Sequence, residues 1–220
     1  MVSMGMLVDL RINGAHQIGD TVSFNGDLDL QIDIQLPKWA RQSADSPIDI
    51  KVFANGAEMI SMQMVPTTET KIQISKTLPG GKLPDQDCWI SCVATAPGVI
   101  APYWAIPRPY QVSDKTWRPK IIGLTNPIYI DRDKDGEYQS PKEVAETLIN
   151  RHGLDFRKLF RSLTKSDQAT AIQLASLLIE KGVDLDSPSV REAMVVSTQE
   201  TQNGFSKYRA MLKSQPSDHQ

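Results

Sequence analysis

Residues 27–36 read DLDLQIDIQL, and their strict alternation decides how the first half of the chain folds. Leu28, Leu30, Ile32, Ile34 and Leu36 fall on one face; Asp27, Asp29, Gln31, Asp33 and Gln35 fall on the other. A period of two matches the pleat of a strand, so the stretch is predicted to be a half-buried antiparallel strand. Shorter runs of the same kind lie on both sides: MLVDLRI (6–12), DIKVFA (49–54), EMISMQM (58–64), TKIQIS (70–75) and CWISCVAT (88–95). They are separated by Asn-Gly at 13 and 55, NGD at 25–27 and LPGGKLPD at 78–85, which are turn-forming sequences. Regular short strands with such turns predict an N-terminal antiparallel β-sandwich of Ig-like type.

From Ala96 to Pro119 prolines crowd the sequence, and proline lacks the N–H that a central strand donates, so edge strand and loop are expected there. PKIIGLTNPIYI (119–130) then supplies a last apolar strand ending at Ile130. Beyond it the period becomes helical. SPKEVAETLINRHG opens with Ser140 as N-cap, Pro141 at the first helical position and Glu143 three residues after the cap, a capping box, and stops at His152-Gly153. DFRKLFRSLTK brings Phe156, Leu159, Phe160 and Leu163; SDQATAIQLASLLIEKG brings Ile172, Ala175, Leu178 and Ile179 and ends on Gly182. DSPSVREAM opens a last helix that runs on to the polar tail SQPSDHQ. The expected organisation is therefore β then α: a sandwich over 1–130, an acidic loop over 131–140, a helical bundle or helical-repeat unit of about four helices over 141–213, and a disordered tail over 214–220.

The 220 residues carry a net charge of −2, with 40% apolar and 23% charged side chains. No basic excess draws such a protein to nucleic acid or to anionic lipid, and no apolar run approaches a membrane span, so neither partner is expected. The N-terminus carries no basic segment followed by a sustained apolar core, so no secretory signal is read there. Cys88 and Cys92 lie four residues apart on one strand, roughly 13 Å along it, too far to bridge, and read as buried thiols. The three histidines, His16, His152 and His219, sit in a turn, a helix end and the tail, and form no metal-ligand pattern. No nucleophile motif or phosphate-binding loop is present, and no carboxylate pair is singled out for acid–base work. Tyr103, Trp104 and Trp117 form a candidate aromatic platform for sugar rings or a partner surface, with core packing as the alternative.

The chemistry-bearing stretch is DRDKDGEYQSPKE (131–143). Asp131, Asp133 and Asp135 occupy positions 1, 3 and 5 of a calcium-type loop, Gly136 the turn position, Glu137 the position that lends its carbonyl, and Gln139 position 9. A hard cation needs such oxygens brought to one point by a reversing backbone. The departure is at position 12, where Lys142 stands in place of a bidentate glutamate; Glu143 is one residue late and is also the capping-box residue. Two readings remain open: a weak structural Ca²⁺ loop, or a charged turn in which Arg132 and Lys134 neutralise the aspartates. Asp33 and Asp49 alternate outward on strands and read as solvated.

The segment LTNPIYIDRDKDGEY (124–138) resembles a TNPI-aromatic-aliphatic-D-x-D-x-DG-aromatic segment near the C-terminus of CehA/McbA-type proteins of the PHP metallohydrolase superfamily. GMLVDLRING (5–14), GDTVSFNGDLDLQIDIQLPKW (19–39) and IDIKVFANG (48–56) look like the β-rich module that follows the metal-dependent barrel in those proteins. The resemblance implies an accessory C-terminal region of a metal-dependent hydrolase of phosphoesterase or carboxylesterase type, partnered by its barrel domain. The barrel's metal-binding residues match nothing in this sequence, so no catalytic residue carries over. Exported relatives would imply a calcium-rich setting for the parent. A carbohydrate- or cell-surface-binding sandwich and a stand-alone hydrolase are the alternatives.

Overall fold

The computed structural model describes residues 2–36, 47–65, 70–98 and 120–214. Strands come first and helices follow. Eleven strands are described: β1 Val2–Met4, β2 Leu7–Ile12, β3 His16–Gln17, β4 Thr21–Ser23, β5 Leu28–Gln35, β6 Ile48–Ala54, β7 Ala57–Met64, β8 Lys71–Leu78, β9 Cys88–Pro97, β10 Lys120–Leu124 and β11 Ile128–Asp131. They form two sheets. One has the order β3-β2-β5-β8; the other runs β1-β10-β9-β11-β4, with β6 between β9 and β7.

The DLDLQIDIQL stretch is the centre of the four-stranded sheet. Ile32 of β5 lies opposite Leu10 of β2 and Ile74 of β8, and Ile34 opposite Val8 and Ile72, so one face of three neighbouring strands is a continuous apolar surface. Leu28, Leu30, Ile32, Ile34 and Leu36 are all buried, as the alternation requires. In the larger sheet β6 and β9 pair Val52 with Cys92 and Ile50 with Ala94, again buried on one face. The sheets approach closely at Gly123 of β10, where a Cβ would lie 2.6 Å from Val8 Cγ2 and 2.8 Å from the Met6 carbonyl. Turns at Asn13-Gly14 and Asn55-Gly56 have positive φ at both residues, the hairpin geometry for which Asn-Gly is suited. Both cysteines are buried and free.

The expected single strand through Ile130 is two strands. Pro127 has no N–H for a ladder, and the backbone leaves β10 at Thr125, whose N–H donates to the Cys92 carbonyl while its Oγ1 accepts from the Cys92 N–H. Re-entry at β11 aims the backbone at the acidic loop.

The helices are α1 Pro141–His152, α2 Phe156–Ser162, α3 Gln168–Glu180, α4 Pro188–Val195 and α5 Gln199–Ser214. Each of the first three starts is written locally. Ser140 and Glu143 form the full capping box of α1, Asp155 accepts from Lys158 N at α2, and Asp167 accepts from Thr170 N at α3. The expected last helix is broken after Val195, where Ser197 Oγ turns back to the Met194 carbonyl and Thr198 Oγ1 accepts from Thr201 N, restarting the backbone as α5. Around one apolar core, Phe160 meets Phe205 edge-on with ring centroids 5.1 Å apart, beside Leu159, Leu163, Leu174 and Leu178. The α3 stripe is rotated from the expected one: Leu174 and Leu177 are buried while Ile179 is 38% exposed.

Two compact units result. The first holds most of both sheets; the second joins residues 130–220 to the short segments Asn55–Ala57 and Leu83–Cys88. No helix among the described residues is long and apolar enough to cross a membrane. Trp39, Tyr103, Trp104 and Trp117, with the candidate aromatic platform, and residues 215–220 of the tail lie outside the described residues.

Candidate metal centre

Asp131 closes β11 and is 1% exposed, an expensive place for a carboxylate unless it is bonded. It is bonded to its own loop: Oδ1 accepts from Lys134 N at 2.6 Å and Oδ2 from Gly136 N at 3.0 Å. The backbone wraps around it because Lys134 and Gly136 both adopt left-handed φ, 64° and 89°. Glycine takes that conformation freely and lysine at a cost. Outward along the loop the pattern repeats, with Asp135 N donating to Asp133 Oδ1 at 3.2 Å and Glu137 N to Asp135 Oδ1 at 2.9 Å. The alternate spacing of the aspartates thus turns the loop back on itself, one carboxylate per turn.

A residue that the sequence reading passed over completes the arrangement. Asp87, from the segment just before β9, is 5% exposed and bridges the loop: Oδ1 accepts from Arg132 N at 2.7 Å and Oδ2 from Gln139 N at 2.9 Å. One oxygen each of Asp87, Asp131 and Asp133 lie within 4.8 Å of one another. Of the five candidate ligands read from the sequence, Asp131 and Asp133 are brought together. The Asp135 carboxylate accepts from the next turn, Glu137 is exposed, and Gln139 offers its backbone N–H to Asp87. Glu143 is occupied at the helix start, where its Oε2 accepts from Ser140 N at 2.7 Å.

The surroundings set the electrostatics. Arg132 Nη2 lies 3.2 Å from Asp85 Oδ1. The Asp135 N–H pulls the Asp133 pKa down, but desolvation and the neighbouring charges of Asp135, Asp87 and Asp131 outweigh it and hold the group above the ordinary carboxylate range. The adjacent Cys88 thiol is pushed up to about 12, first by burial and then by the charge of Asp167. It stays protonated at neutral pH. His152 Nε2 is 3.0 Å from Ser162 Oγ, and His16 lies in β3.

The donor set is all hard oxygen, which suits Ca²⁺ rather than a soft transition metal. Each carboxylate oxygen has two lone pairs, so the N–H bonds leave capacity for a cation.

No family model matches this sequence, and no curated protein matches it. Among solved structures it is similar to the CARDB domain of a Pyrococcus furiosus protein, known from a solution NMR structure, at 12% identity and a TM-score of 0.30, over 58% of this protein and 95% of that one.

Proposed function

We propose that this protein is a non-catalytic accessory and interaction module in which an Ig-like β-sandwich is followed by a small helical bundle, with a structural Ca²⁺ loop at Asp131–Gln139. The observation that supports the metal is the meeting of Asp87, Asp131 and Asp133 within 4.8 Å. Asp131 and Asp133 with Asp87 would hold the ion. A bound ion would neutralise three carboxylates that otherwise repel one another, and would fasten the segment around Asp87 to the loop. The absence of a position-12 carboxylate, with Lys142 there instead, matches a weak site suited to millimolar calcium. The resemblance of 124–138 to the segment in CehA/McbA-type proteins makes a PHP-type barrel domain the proposed partner, with this protein serving as the accessory region of such a hydrolase.

Thermal unfolding with EDTA and then with millimolar CaCl₂ tests the metal. Calcium raises Tm, and Asp133→Ala abolishes the gain; no calcium-dependent shift at millimolar metal sinks the proposal. Phosphoesterase or carboxylesterase activity in the purified protein, surviving removal of contaminants and dependent on added Mn²⁺ or Zn²⁺, overturns the non-catalytic reading.

A further inference from the structure

The face of the four-stranded sheet turned away from its buried side chains is a ladder of polar residues. In register across β2, β5 and β8 stand Asp9, Asp33 and Gln73, then Arg11, Gln31 and Ser75; Asp29 and Thr77 follow as the next pair. Rows two residues apart along a strand are roughly 6.8 Å from one another. Between β5 and β8 this region holds an open cleft of about 440 Å³, lined by Gly14, Asp29, Gln31, Ser75, Lys76 and Thr77. Small-molecule sites usually enclose about 300–1,000 Å³, so the cleft is of ligand size.

We propose that this cleft binds a neutral polyhydroxyl ligand, a short saccharide lying along β5. The lining decides the class. Asp29 and Lys76 contribute one charge of each sign, so no net field selects an ion. Gln31, Ser75 and Thr77 each both donate and accept hydrogen bonds, and the lining holds no aromatic ring to favour an apolar ligand. The matching ligand is uncharged and carries groups that donate and accept at short intervals, as the hydroxyls of a sugar do. Thr77 Oγ1 donates to Asp29 Oδ1 at 2.9 Å, which leaves Oδ2 to accept from the ligand.

The row beyond Gln31 adds a second observation. Asp33, which the alternation reads as solvated, is half-buried, and its Oδ1 is buried with no hydrogen-bond partner among the described residues. An unpaired buried acceptor is costly, so this carboxylate gains by turning toward a donor. A ligand hydroxyl one row past the cleft supplies it. A peptide strand added at the β8 edge is the competing occupant, and Lys76 stands against it. Lys76 lies opposite the buried Leu30, at a register position of the core face, yet is exposed. A charge so placed guards an edge strand against pairing.

The test titrates the ¹⁵N-labelled full-length protein with hexasaccharides of glucose, xylose and mannose, in EDTA so that the outcome is independent of the acidic loop. Bonds exchanged with water on an open face give binding of about millimolar strength, so each sugar is taken to about 20 mM. At least one sugar shifts the backbone amides of Gln31, Ser75 and Thr77 and the side-chain amide of Gln31. Gln31→Ala and, separately, Ser75→Val, each with an otherwise unchanged spectrum, weaken that binding about tenfold. Asp33→Asn weakens it as well; full affinity in that variant overturns the reach to the second row. The site itself is overturned by no shift with any of the three sugars, by shifts that leave those three residues untouched, or by larger shifts at them from inorganic phosphate or a lysine-containing peptide.

Discussion

Replacing Asp87 with alanine sets two effects of opposite sign against each other. The carboxylate accepts two backbone N–H bonds, from Arg132 and Gln139. Bonds to a charged group are worth about 1.5–3 kcal/mol each, or roughly 3–6 kcal/mol together. Against this stands repulsion from Asp131, whose oxygen lies within 4.8 Å. At an effective dielectric of about 20 that repulsion is about 3.5 kcal/mol, and solvent at the loop lowers it. On these figures the balance runs from about 0.5 kcal/mol against the bonds to about 2.5 kcal/mol in their favour, and the exposed Asp133 carboxylate, screened by water, changes it little. The middle of that range, about 1 kcal/mol, is a fall in Tm of about 2–4 °C in EDTA for a protein of this length. Bound calcium removes the repulsion and leaves the bonds, so in calcium the same substitution loses most of the 3–6 kcal/mol as well as a ligand. The assay is thermal unfolding of wild type and Asp87→Ala, each with EDTA and with millimolar calcium, with hydrogen exchange at the Arg132 and Gln139 amides as the local readout. A variant as stable as wild type or more stable in EDTA, with those two amides still protected, refutes the clamp. A destabilisation identical in EDTA and calcium refutes the part of the reasoning that links Asp87 to the ion.

Glu143→Gln keeps the capping-box geometry but removes a charge whose pKa is lowered by the Ser140 backbone N–H and then by the Ser140 side chain. A carboxyl with a depressed folded pKa contributes stability above its ordinary pKa and loses it as pH falls through the folded value. Wild type should therefore lose stability across that acid window relative to Glu143→Gln, as read by urea unfolding over a pH series; parallel curves would remove the capping contribution. Gly123→Ala drives a Cβ against Val8 Cγ2 and the Met6 carbonyl, neither of which is a flexible side-chain end. A loss of about 1–3 kcal/mol is expected from urea unfolding, and a neutral effect would mean the two sheets separate easily there. Burial pushes both the Cys88 and Cys92 thiols up to about 12. Iodoacetamide should leave both untouched at neutral pH until the protein is unfolded, as read by mass spectrometry; fast labelling of the native protein would show the strand opening.

The strands were legible because a strand with one wet face prints its period directly into the sequence, and β5 does so over its full length. The helix starts were legible because Ser140-Pro141 and Asp167 act within four residues of their own position. What escaped was set by geometry beyond that range. In α3 apolar residues surround much of the helix, so periodicity does not say which of Leu177 and Ile179 faces inward; packing against α1 and α5 decides it. The division between α4 and α5 carries no Gly or Pro and depends on two hydroxyl groups turning back on the backbone. Pro127 did carry the signal for the gap between β10 and β11, but the apolar residues on both sides of it read as one run.

The least legible residue was Asp87, 45 positions from the Arg132 amide that it binds. In the proposed calcium site it would answer the difficulty that Lys142 poses at position 12 of the loop. The residues in that neighbourhood are committed to starting α1: Glu143 closes the capping box, and Lys142 lies 3.8 Å from Glu146 on the same helix. A strong helix start and a ligating glutamate cannot share one side chain, so a cation at this loop would have to draw its further carboxylate from elsewhere in the fold. Asp87 can supply it because it directly precedes β9, Asp131 closes β11, and those strands are neighbours in the sheet. In an EF-hand the ligands belong to one short loop and carry their affinity with them. Here the third carboxylate arrives only when the sheet has formed, so any affinity of the loop for calcium is also a measure of whether β9 and β11 are in place.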